Sequence, residues 1–274
     1  MARVLGLKQL LQKKYHFLDN LPEDITASFG RLTDNFTMLV WGISGNGKSN
    51  FIMQFMKIIM FYGKVLYIAL EEGFEATTQF TADRNLTQEL HSGRIEFADH
   101  NMTYDALIEK LKKKKSPRFI IIDSIQYWNI TYEQYKRLKE IFKRKTFIFI
   151  SHASGKIPDG KVADKIRYDA GIKVRLEGFI GFIICRYGGN KPFIVWEAGA
   201  KKYWGKKYRN VITGIKSEIP TKPKTNENAS LPPPVVLEES GKSLVGKRPD
   251  PNGIVEGILP QLAGEFNSEV TQSV

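Results

Sequence analysis

The sequence predicts an α/β fold with a mainly parallel sheet. Short apolar runs of strand length alternate with segments whose apolar residues fall at helical spacing. The runs are apolar throughout, as in strands covered on both faces, and a glycine-rich loop joins the first of them to a helix. Together these predict a three-layer domain.

Met38–Gly42 is the first short apolar run. Ser49–Phe61 follows as a helix, with Phe51, Ile52, Phe55, Met56 and Ile59 on one face. Strands are expected at Lys64–Leu70, Arg94–Ala98, Arg118–Asp123 and Thr146–Ser151, and helices at Tyr104–Lys113 and Tyr132–Phe142. Gly171–Leu176, Phe179–Arg186 and Phe193–Trp196 leave no room for helices between them, so three antiparallel strands are expected to finish the sheet. Ahead of the first strand, Gly6–Tyr15 reads as a helix with Leu7, Leu10 and Leu11 apolar, packed either on its own domain or on a neighbouring subunit. The expected organisation is an N-terminal helical segment over 1–29, a core domain over 30–212 and a disordered tail over 213–274. The tail carries Pro232-Pro-Pro234 and Pro249-Asp-Pro251, few aromatics and no periodicity.

The 274 residues carry a formal net charge of +12. By count, residues 213–274 hold a net −2 and residues 1–212 a net +14, so the basic excess belongs to the folded part. Such a field points to a polyanion, most commonly nucleic acid. No apolar run approaches the roughly 18 residues of a membrane span, and the N-terminus lacks a secretory h-region. The single cysteine, Cys185, excludes an internal disulfide and is expected as a small core residue. A cytoplasmic location, with no membrane partner, is expected. His16, His91 and His100 show no metal-ligand spacing.

Gly42-Ile43-Ser44-Gly45-Asn46-Gly47-Lys48-Ser49 matches the eight-residue phosphate loop, set between a strand and a helix. Glycines let backbone N–H groups turn inward around phosphates, and the helix start adds its positive dipole end. Lys48 is placed to reach the β and γ phosphates, and Ser49 to offer its hydroxyl to Mg²⁺. ATP with Mg²⁺ is therefore the expected ligand. Phe119–Asp123 is an apolar strand ending in a carboxylate. Beside the first strand it would bring Asp123 to the metal or its bound water. Val65–Glu72 ends in two carboxylates, of which Glu71, with Glu72 in reserve, is the candidate to orient or deprotonate the attacking water.

In this order, Gly42–Ser49, Leu66-Tyr-Ile-Ala-Leu-Glu71, Ile120-Ile-Ile-Asp123-Ser-Ile-Gln126 and Phe149-Ile-Ser-His152 resemble the RecA/RadA/DnaB branch of P-loop ATPases, often found in phages and mobile elements. The resemblance covers roughly residues 30–200 and implies a RecA-like core. It implies that Glu71 is the catalytic glutamate, that His152 senses the nucleotide or DNA state, and that Gln126 couples the γ-phosphate to DNA-binding loops. It also implies rings or filaments, in which a basic finger from one subunit completes the next one's site. Arg186, in Ile184-Cys-Arg186-Tyr-Gly-Gly, matches that finger, although Ile184 replaces the family's lysine. Lys201 and Lys202 are the reserve candidates.

The resemblance further implies two DNA-binding loops. The first, Ser124–Thr131, offers Tyr127 and Trp128 for stacking on bases. The second, after His152, is glycine-containing and offers Lys156, Lys161, Lys165 and Arg167 to phosphates without reading sequence. The basic runs Lys112–Lys115 and Lys143–Lys145 sit at strand entries, on the edge opposite the nucleotide, and are expected as surface or secondary electrostatic contacts. The function so implied is a DNA-dependent ATPase of recombination, repair or replication, binding single-stranded DNA as a homo-oligomer. The alternatives are a ring helicase motor or loader, an ATP-driven scaffold or regulatory protein independent of DNA, and a small-molecule phosphotransferase.

Overall fold

The computed structural model describes residues 4–214. Nearly all of the expected tail, from residue 215 onward, lies outside the described residues. An eight-stranded sheet runs through the molecule in the order β10-β9-β8-β1-β5-β4-β2-β3. Its strands are β1 (Thr37–Trp41), β2 (Val65–Ala69), β3 (Ile95–Ala98), β4 (Phe119–Asp123), β5 (Thr146–Ser151), β8 (Ile172–Glu177), β9 (Ile180–Cys185) and β10 (Phe193–Ile194). A separate small hairpin is formed by β6 (Ala153–Ser154) and β7 (Ile157–Pro158).

The two faces of the sheet follow the period-2 alternation of each strand. Met38, Val40, Tyr67, Ile121, Ile148 and Ile150 enter one buried cluster with α2 (Glu23–Phe29) and α3 (Lys48–Ile59). Leu39, Trp41, Leu66, Ile120, Ile122, Phe147 and Phe149 enter the other, against α5 (Tyr104–Lys112), α7 (Tyr132–Ile141) and α8 (Lys161–Asp169). The predicted three-layer α/β core is thus observed. Two short segments complete the helical layers, α4 (Ala76–Leu86) after β2 and α6 (Ile125–Trp128) after β4.

The structure corrects three expectations of topology. The strand carrying Asp123 is not beside the phosphate-loop strand: β5 lies between β1 and β4, paired in parallel with both. The exit of β5 therefore emerges between the phosphate loop and Asp123. Second, β8 is parallel to β1, and antiparallel pairing in this sheet is confined to β9, which runs against both β8 and β10. A parallel return needs a crossover, which α8 supplies. Residues 161–169 were expected as loop because cations and a flanking glycine obscure a modest apolar face, Ala163 and Ile166. Third, β10 stops at Ile194, and the chain continues into α9 (Glu197–Trp204) and α10 (Tyr208–Thr213), which pack Ala200 and Tyr208 on Ile180.

At the N-terminal end, α2 is part of the core: Ile25 and Phe29 are fully buried, and the Phe29 and Phe55 rings lie 5.4 Å apart. The close approach of Gly30 to the Tyr187–Gly189 segment admits no side chain, since a Cβ at Gly30 would stand 2.1 Å from the Tyr187 carbonyl oxygen. The short helix α1 (Leu7–Leu11) differs, with Leu7, Leu10 and Leu11 all exposed. Cys185 is buried, its Sγ donating to the Phe29 carbonyl.

Candidate functional site

The strand-exit edge carries a cavity of about 510 Å³ whose walls include Gly45, Gly47, Lys48, Ser49, Glu71, Asp123 and His152. The loop over 42–49 takes its shape from backbone that only glycine adopts freely: Gly45 has φ +75° and Gly47, the N-cap of α3, φ +90°. Gly42 is required for a different reason, because a Cβ there would lie 2.5 Å from the Leu176 carbonyl oxygen. Asn46 is buried. Its Oδ1 accepts from the Gly178 N–H at 2.6 Å and its Nδ2 donates to the Ser44 carbonyl at 3.1 Å. Its side chain thereby latches the loop to the β8–β9 turn, a role not legible in the motif. Ile43 is half exposed.

Lys48 Nζ donates to the carbonyls of Gly42 (2.9 Å) and Ile43 (3.2 Å). Burial lowers its pKa, opposed by the nearby carboxylates of Asp123 and Glu71. Asp123 shows the reverse. Burial raises its pKa from 3.8 to about 6, with Glu71 and Glu72 adding to the rise and the Tyr67 hydroxyl and Lys48 opposing it. Tyr67, missed in the sequence, donates its hydroxyl to Asp123 Oδ2, and burial holds its pKa well above 10. Its one signal was a hydroxyl-bearing ring in an otherwise aliphatic strand, two residues before the position that pairs with Asp123.

These groups fit a nucleotide with its metal. The loop has open space at Gly45, a Cβ there meeting nothing within 4 Å. A hydroxyl and a carboxylate, Ser49 and Asp123, share the cavity with an ammonium, a donor set suited to Mg²⁺ held jointly with phosphates. Asp123→Asn measures the cost of the carboxylate. The native state holds more protons than the unfolded chain between pH 3.8 and about 6, so stability falls as pH rises through that window. Above it the charge costs on the order of 1–3 kcal/mol. Asp123→Asn is expected to raise the thermal midpoint at pH 7 without nucleotide by roughly 2–8 °C and to flatten that pH dependence. A midpoint at or below wild type would refute this.

The two carboxylates after β2 separate in role. Glu72 Oε2 accepts from Thr77 Oγ1 (2.7 Å) and Thr78 Oγ1 (3.2 Å) at the start of α4. Glu71 Oε2 instead meets His152 Nε2 at 2.8 Å. The His152 ring also lies edge-on to Tyr127, centroids 6.1 Å apart. Gln126 lies behind them, donating to Ser151 Oγ and the Asp159 carbonyl, each 2.8 Å away, and accepting from the His152 N–H at 3.2 Å. It holds the β5 exit and the β6–β7 hairpin in one arrangement.

The other candidates disperse. Trp128 is buried, with Nε1 donating to the Met102 carbonyl (3.2 Å) and its ring against Tyr104. It is therefore no free stacking face, whereas Tyr127 is 54 % exposed. The expected second mobile loop is the β6–β7 hairpin followed by α8. There Lys156 and Lys161 are exposed, Lys165 lies over the Tyr132 ring, and Arg167 pairs with Asp164 at 2.7 Å. Arg186 follows β9, which runs away from the phosphate loop, so it sits at the opposite edge of the sheet from its own subunit's cavity. It donates to the Tyr168 carbonyl at 3.2 Å. Lys201 is paired with Glu197 at 2.7 Å and Lys202 is exposed.

No family model matches the sequence, and no curated protein matches it. Among solved structures, the chain is similar to the flagellar accessory protein FlaH from Methanocaldococcus jannaschii, at 15 % identity over 63 % of this chain and 88 % of that one, with a TM-score of 0.46. It is also similar to a KaiC-like protein from Pyrococcus horikoshii OT3, at 21 % identity over 61 % of this chain and 85 % of that one, with a TM-score of 0.45.

Proposed function

We propose that the protein binds ATP with Mg²⁺ and hydrolyses it. The observation that carries this is the meeting of Lys48, Ser49, Asp123 and Glu71 in one cavity at the mouth of a glycine-shaped loop ahead of α3. Backbone N–H groups of 44–49 would hold the phosphates, with Lys48 on the β and γ oxygens and Ser49 and Asp123 on the metal. The metal would offset charge on the transferring phosphoryl group. Glu71, released from His152, would orient the attacking water and take its proton.

His152 touches both Glu71 and Tyr127, which supports a link between the γ-phosphate position and the segment over 124–131. On this basis the ATPase answers to single-stranded DNA held by Tyr127, Lys156 and Lys161. The position of Arg186 supports action only across a subunit contact. The exposed leucines of α1 support an oligomer as well. A second reading, an ATP-driven scaffold indifferent to DNA, is favoured by the burial of Trp128 and the internal engagement of Lys165 and Arg167.

Phosphate release with Mg²⁺, in the presence and absence of single-stranded DNA, tests both. Turnover that rises with DNA is expected. Turnover unaffected by DNA would replace the first reading with the scaffold, and failure to bind ATP at all would remove both.

A further inference from the structure

One group of the folded part's cations lies away from the cavity. At the strand-entry edge, five neighbouring strands begin side by side in the order β3-β2-β4-β5-β1, each preceded by a turn. These turns carry Arg94 before β3, Lys64 before β2, Lys113, Lys114, Lys115 and Arg118 before β4, and Lys143, Arg144 and Lys145 before β5. Two acidic side chains answer them, Asp34 paired with Arg118 and Glu96 with Lys64, while nearby Glu96 also takes Lys110, Glu109 takes Lys112 and Glu89 takes Lys57. Lys113, Lys114, Lys115, Lys143 and Arg144 are exposed and have no acidic partner among the described residues.

The edge is braced. Lys145 Nζ donates to Ser116 Oγ at 2.9 Å, joining the two lysine-rich turns, and Asn35 Nδ2 donates to the Lys143 carbonyl at 3.0 Å. Backbone bonds from Arg118 N to Lys64 O (2.9 Å) and Thr146 N to Arg118 O (3.0 Å) continue the row. Burial, and after it the adjacent Arg118, lowers the pKa of Lys145. The unpaired cations stand on the turns before β4 and β5, neighbouring strands about 5 Å apart at the spacing of a sheet. Phe61, in the turn before β2, is 68 % exposed.

We propose that this strand-entry edge is a second nucleic-acid surface, a track for the phosphates of a single strand, with Phe61 offered to a base. A cluster of five unpaired cations on two adjacent turns is matched by consecutive phosphates of a polyanion, which gains affinity by releasing counterions. An exposed aromatic beside the cluster is the companion that single-strand binding uses. The two lysine-rich turns, 112–116 and 143–145, hold no apolar side chain to enter a bilayer. The inference goes beyond ATP hydrolysis and requires no bound nucleotide.

The test uses the full chain without ATP, a fluorescein-labelled oligodeoxythymidine, and vesicles of phosphatidylserine and phosphatidylcholine. The triple variant K113Q/K114Q/K115Q is expected to bind the oligonucleotide at least about 10-fold more weakly and to reduce the log K against log salt slope by about 2. The charge-matched K206Q/K207Q/R209Q variant is expected to retain wild-type affinity within about 3-fold. F61A is expected to lose about 5-fold or more with the salt slope unchanged. Equal losses in the two triple variants, or none in the first, would overturn the proposal, as would binding to vesicles without binding to the oligonucleotide. Unchanged affinity in F61A would overturn the single-stranded assignment.

Discussion

Lys48→Ala is expected to reduce ATP turnover by on the order of 10²–10³-fold or more, with weakened nucleotide binding. The ammonium spans the Gly42 and Ile43 carbonyls, the two residues that open the loop. These contacts can be exchanged for phosphate oxygens without moving α3, because Lys48 is the first residue of that helix and its stem is fixed there. The charge is partly desolvated, as the burial-lowered pKa shows, so its attraction to a triphosphate is screened less than a surface lysine's. Alanine removes an ammonium that opposes the charges of Asp123 and Glu71 in the cavity. The fold should survive, since the exposed Ile43 carbonyl can bond to water instead and the loop stays latched through Asn46. Calorimetric titration with ATP and Mg²⁺, together with phosphate release, provides the check. Wild-type turnover in this variant would sink the assignment of the loop.

Glu71→Gln is expected to lower kcat by about 10²–10⁴-fold while leaving ATP affinity within a few-fold. The carboxylate lines the cavity but makes none of the phosphate loop's contacts, so binding and chemistry should separate. Glutamine keeps the shape and the hydrogen bond to His152 but cannot take a proton. Glu72→Gln is the internal control. Its carboxylate is spent on Thr77 and Thr78, so the change should loosen the start of α4 and spare turnover. If Glu72→Gln abolishes turnover and Glu71→Gln does not, the roles are reversed. The same experiment examines His152: in His152→Ala, Glu71 loses its 2.8 Å partner, and any response of turnover to DNA should weaken more than basal turnover.

Much of the core was legible because its signals are local. Phe119–Ile122 and Phe147–Ile150 are apolar at every position, and the helix after Lys48 repeats its apolar face every three to four residues. Helices α4, α8, α9 and α10 were not legible. They bury few residues, Thr78 and Leu86 in α4 and Gly199 and Ala200 in α9, so their apolar stripe is too thin to stand out. The aromatic and glycines after Arg186 were read through a family resemblance. In the fold they serve the packing of Tyr187–Gly189 against Gly30, a contact between segments more than 150 residues apart.

By itself the sequence determined the phosphate loop, the strands that end in carboxylates, and the amount and sign of charge on the folded part. Each depends on residue type at short spacing, where backbone freedom, side-chain chemistry and periodicity act without help from distant segments. Only the tertiary structure decided that β5 separates β1 from β4, that Glu71 meets His152 while Glu72 is held at α4, that Trp128 is buried, and which of the cations at the strand-entry edge are paired. Strand order arises from pairing between remote segments. Which side chain is left free depends on which neighbours that pairing delivers.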